Sequence, residues 1–86
     1  MDERRRKLQF RAWRRGFREL DLIIGSFADK HLESMTESEV DEFEQLLKVQ
    51  DWEMFSWLTG TAAIPPHRKG PLLQRLCDYE YTAQPG

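Results

Sequence analysis

A chain of 86 residues, 33% charged and 40% apolar, makes one small domain. So short a chain buries only about 60–65% of its unfolded surface and has no room for a deep, walled active site. No apolar run approaches the ~20 residues of a membrane span, and Cys77, the single cysteine, excludes a disulfide framework or a cysteine-paired metal site. The formal net charge of -2 conceals a strong segregation. Eight of the 13 basic residues (Arg4, Arg5, Arg6, Lys7, Arg11, Arg14, Arg15 and Arg18) lie in the first eighteen positions, while the stretch from Asp29 to Glu53 is acidic. Such a basic segment has three uses: it binds phosphates, it steers an acidic partner, or it pairs with the acidic middle of its own fold.

Residues 3–15 predict a first helix, rich in Arg and Lys, with an aromatic stripe at Phe10, Trp13 and Phe17 assigned to the core. Nothing ahead of it has the apolar h-region of a secretory signal. Gly16 interrupts the pattern, either as a plain helix break or as a site where a partner's backbone approaches. A second helix, about Phe17 to Leu32, has Leu20, Ile23, Ile24, Phe27, Ala28 and His31 at helical spacing. Gly25 inside it predicts a neighbouring helix that passes close. Thr36-Glu37-Ser38-Glu39 fits a capping box that opens a third helix to about Lys48, burying Val40, Phe43, Leu46 and Leu47.

Asp51 reads as the N-cap of a short fourth helix, Trp52 to Thr59, ended by Gly60 and carrying more apolar bulk than one buried stripe needs. Pro65-Pro66 bars helix in the connector from Ala62 to Pro71. A last helix, about Pro71 to Tyr81, offers Leu72, Leu73, Leu76 and Cys77 to the core. The expected fold is all-α: a small antiparallel bundle of four to five short helices, one domain over 1–81, with 82–86 a disordered tail.

Catalysis finds no foothold in these residues. His31 and His67 are the only histidines, neither has a metal partner at ligand spacing, and His31 falls on an apolar face where it reads as a core or edge residue. The glycines are too dispersed for a phosphate loop. Asp41, Glu42 and Glu44 read as a solvated acidic face. A second reading, a small nucleic-acid-binding regulatory protein, uses the Arg-rich first helix with Phe10 and Trp13 interleaved. The acidic pI of about 5.7 and the absence of a reader motif weigh against it.

The run Arg14-Arg15-Gly16-Phe17-Arg18-Glu19-Leu20-Asp21 resembles the signature of the SdhE family, the succinate dehydrogenase assembly factors that promote flavin attachment. Their Arg-Gly-x-x-Glu hallmark falls here on Arg15, Gly16 and Glu19, and the likeness extends to the acid-rich third helix and to the block from Asp51 to Leu58 with its Phe-x-Trp-Leu core. The resemblance implies a chaperone-like protein, not an enzyme, that binds the flavoprotein subunit of succinate dehydrogenase, and that of fumarate reductase too. It would favour covalent FAD attachment to that client while binding no cofactor stably itself. The partner-binding residues are then Arg15, Gly16, Glu19, Arg14, Phe17 and Arg11, with Arg15 pairing to a client carboxylate or carbonyl and Glu19 either accepting from a client donor or holding that arginine at i, i+4. The expected protein is a monomer that engages neither nucleic acid nor membrane, cytoplasmic in a bacterium or in the mitochondrial matrix of a eukaryote.

Overall fold

The computed structural model describes residues 1–79; the expected tail at 82–86 and the end of the last helix at Tyr81 lie outside them. Five α-helices follow one another: α1 (Glu3–Ala12), α2 (Arg18–His31), α3 (Glu37–Leu46), α4 (Asp51–Leu58) and α5 (Pro71–Asp78). Single 3-10 turns at Leu32–Ser34 and Pro66–Arg68 complete the described chain. α1 packs along α2, and α5 packs on both α3 and α4. The body measures 36 × 34 × 20 Å. Its core gathers Leu20, Ile24, Phe27, Val40, Phe43, Met54, Leu72, Leu73 and Leu76, each almost fully removed from water.

α1 presents Leu8 and Ala12 inward and leaves Phe10 57% exposed, so the aromatic stripe assigned to the core is wrong at its first member. Counting Phe10, Trp13 and Phe17 as one face assumed a helix through residue 15, but α1 stops at Ala12. Arg14 N–H donates to Arg11 O at 3.1 Å, tightening the last turn, and the next amide, that of Arg15, is taken by the Asp21 carboxylate of α2. The chain is drawn out of the helix there. Trp13, the C-cap of α1, lies over Gly25, where a Cβ would meet the indole at 2.5 Å from Cε2, so the helix expected close to Gly25 meets it through the ring at its end. Its Nε1 donates to Asp29 Oδ1 at 3.1 Å.

The capping box at α3 is present on both sides, Thr36 accepting from Glu39 N–H and the Glu39 carboxylate from Thr36 N–H. α4 departs from expectation at its start: Gln50 is the N-cap and Asp51 the first helical residue, because the Asp51 carboxylate faces another loop instead of its own amides. Gly60, with φ +75°, ends the helix in the left-handed conformation. The connector holds one 3-10 turn despite its prolines, since Pro66 opens that turn, where no N–H is required.

α5 opens on Gly70-Pro71 without a side-chain cap of its own. Glu42 of α3 supplies one, its Oε2 accepting from Leu72 N–H at 3.1 Å and Leu73 N–H at 3.3 Å. Burial and the nearby Arg75 guanidinium lower the pKa of His31, which packs on Phe27 at the bundle edge.

Candidate functional site around the Gly16 bend

Between α1 and α2 the chain bends at residues 15–17, and the sequence-predicted site residues separate there into two groups. Arg15 is turned inward, its side chain only 10% exposed. Its Nε donates to Asp51 Oδ1 at 3.0 Å, Nη2 reaches the same oxygen at 2.8 Å, and Nη1 and Nη2 donate to Leu47 O at 2.8 Å and Val49 O at 3.1 Å. Those carbonyls lie in the tightened turn that follows α3, so Arg15 satisfies the end of that helix from a distance. A planar guanidinium suits this task, presenting several donors in one fork. The expectation that Glu19 would fix Arg15 at i, i+4 is not met, because Arg15 lies outside α2 and Asp51 takes that role.

Gly16, Arg14, Arg11, Arg18 and Glu19 lie on the outside. Arg14 stacks its guanidinium 3.5 Å above the Phe10 ring, a cation–π contact, and the exposed Phe10 and Arg11 border a shallow groove with Glu3, Arg6 and Lys7. Gly16 does not use the left-handed region; among the described glycines only Gly60 has positive φ. A Cβ at Gly16 would collide with Asp51 Oδ2 and lie 3.2 Å from its carboxyl carbon. The bare position is thus occupied from within the molecule.

Next to Gly16, Phe17 stacks on Trp52 with ring centroids 4.6 Å apart, and Phe55 closes the cluster edge-on at 4.9 Å from Phe17. Trp52 is 69% exposed. A large indole left in water beside a second aromatic ring is the composition of an interface anchor. Sequence reading singled out Phe17 but left Trp52 out of the site; the surplus of apolar bulk in α4 was the signal, and only the fold shows which residue of that surplus faces out.

The basic segment divides in the same manner. Arg4 bonds Asp41 at 2.6 Å and Glu44 at 2.7 Å, which lowers the pKa of Glu44, and Arg5 donates to Leu32 O and Met35 O beyond the end of α2. The acidic face read as solvated is therefore partly engaged, Asp41 and Glu44 by Arg4 and Glu42 by the start of α5. Arg6, Arg11, Arg14 and Arg18 remain on the surface.

A family model described as "Flavinator of succinate dehydrogenase" matches residues 6–80. The protein of Candida glabrata named succinate dehydrogenase assembly factor 2, mitochondrial, is 37% identical over 83 residues, covering 92% of this chain and 54% of the relative. The FAD assembly factor SdhE of Acetobacter pasteurianus is 37% identical over 75 residues, covering 87% of this chain and 69% of that protein. For the Saccharomyces cerevisiae assembly factor 2 the identity is 37% over 66 residues, 77% of this chain and 41% of the relative. The chain spans about half the length of these yeast relatives or less. No helix among the described residues is long and apolar enough to cross a membrane. With a match running from within α1 to the end of α5, and through the bend where Arg15, Gly16 and Phe17 lie, the chain belongs to the family of flavinators of succinate dehydrogenase.

Proposed function

We propose that this chain binds the flavoprotein subunit of succinate dehydrogenase through the face around Gly16 and promotes covalent attachment of FAD to that subunit. The flavoprotein subunit of fumarate reductase is a second client of the same face. The observation that carries the reading is the joint one of family and surface: a chain of this family presents at the bend an exposed Trp52 stacked on the half-buried Phe17. Phe17 and Trp52 are the apolar anchor. The exposed Arg11, Arg14 and Glu19, from the same stretch of chain, supply charges of both signs to the rim of such a face. Arg15 lies beneath the face and braces it. The bond between flavin and client forms on the client, with chemistry belonging to the flavin; the assembly factor holds the client in a competent arrangement and retains no flavin of its own.

The test is flavin fluorescence of the denatured succinate dehydrogenase large subunit, separated by electrophoresis, from cells with and without this protein. The expected result is a fluorescent band that fades when the protein is removed and returns with the parent chain. Unchanged fluorescence in its absence overturns the proposal.

A further inference from the structure

The bend and the start of α4 come from chain segments 36 positions apart, and an ion pair and a close contact hold them in register. The two oxygens of Asp51 serve them separately: Oδ1 takes the Arg15 fork, and Oδ2 lies against Gly16 where a Cβ would stand. The residues that follow each half of this contact, Phe17 after Gly16 and Trp52 after Asp51, are the two rings that stack, Phe17 half-buried against the core and Trp52 in the open. We propose that Asp51 is a positioning residue of the docking face, and that position 16 is glycine to admit the Asp51 carboxylate and so align Phe17 with Trp52. This rests on the proposed function above for what the face binds, while the contact itself belongs to this chain alone.

Space and conformation argue together here. Gly16 has ordinary backbone geometry that any residue adopts, so the absence of a side chain is not explained by φ. The three heavy atoms nearest to a Cβ there, outside the adjoining residues, all belong to Asp51. An alanine would force that carboxylate to rotate, and rotation breaks the fork that Arg15 makes with Oδ1 in a half-buried setting where, among the described residues, its guanidinium has no other ion-pair partner.

The experiment is a double-mutant cycle between Gly16→Ala and Asp51→Ala in the full chain, read by thermal unfolding and by capture of the flavin-free flavoprotein subunit. In the parent background Gly16→Ala lowers the unfolding midpoint and weakens capture about tenfold, in the range of couplings between touching residues. Asp51→Ala by itself also weakens capture about tenfold. In the Asp51→Ala background Gly16→Ala leaves or raises the midpoint, as an alanine in permitted geometry does, and changes capture less than about twofold. Asp51→Ser is a second relieved background should Asp51→Ala fail to fold, and Asp51→Asn, which keeps an atom over Gly16, retains the penalty. Equal losses from Gly16→Ala in every background overturn the inference, since the glycine would then be bare for the partner. Parental capture by Asp51→Ala overturns it as well. A parent chain that captures no subunit sinks the proposed function instead, and the unfolding cycle still decides the contact between Gly16 and Asp51.

Discussion

Trp52 and Gly25 show how one side chain, or the lack of one, sets what a position does. Removing the exposed indole with Trp52→Ala takes away the centre of the aromatic anchor, and such anchors carry about 2 kcal/mol or more of an interface. The expected outcome is a loss of client capture of about thirtyfold, with the unfolding free energy changed by no more than about 1 kcal/mol, the value of a stacked pair. A binding titration and a urea denaturation curve check the two halves. Gly25→Ala runs the other way. Helix propensity alone favours alanine by roughly 1 kcal/mol, but the Trp13 indole occupies the space of the new methyl group, and overpacking of this kind costs about 1–3 kcal/mol. The steric cost wins, because the indole is tied at its far end to Asp29 and cannot swing aside. Denaturation should show net destabilisation of about 1 kcal/mol or more, with no corresponding gain in client affinity. That a glycine inside a helix marks a close neighbour was legible in the sequence; that the neighbour is Trp13, turned sideways by the early end of α1, was not.

Helix ends are where the elements of this fold are joined. Arg5 caps the carbonyls beyond α2, Arg15 those at the end of α3, and Glu42 the amides at the start of α5. Each cap is supplied by a helix or loop distant in sequence, so each also fixes where two elements sit. α5 is the most dependent, having a glycine at its N-cap and a proline at its first position. Glu42→Ala should therefore cost about 1–2 kcal/mol, in the range of lost caps, and raise hydrogen exchange at Leu72 and Leu73 before it affects α1 or α2; exchange mass spectrometry resolves this. Periodicity made α2, α3 and the buried leucines of α5 readable from sequence, and the Thr36 box and Gly60 were readable because their partners are local. Caps from afar have no local signature. The ends of α1 and α3 were accordingly placed two or three residues late, and Asp51 was assigned to its own helix when it serves Gly16 and Arg15.

Taken whole, the molecule answers the question posed by its segregated charge. Arg5 and Arg15 turn inward to carbonyls and a carboxylate, Arg4 pairs with Asp41 and Glu44 on the surface, and Arg6, Arg11, Arg14 and Arg18 stay outside. A composition reading could name the three uses of a basic segment but could not divide its members among them, since that division depends on which carboxylates the fold brings alongside. The site was legible to the same degree: a short motif located the bend, and only the three-dimensional arrangement separated the brace, Arg15, from the surface residues and brought Trp52 beside Phe17. The depth at which the three indoles lie has an optical consequence. Trp57 is 5% exposed, Trp13 is half-covered by its perch on α2, and Trp52 stands in water. A polar quencher such as iodide should therefore extinguish the emission of Trp52 first, and a client lacking tryptophan at its contact surface should shield it and shift the spectrum to the blue. The chain thereby carries its own lamp at the point of docking, and association can be timed without attaching a dye.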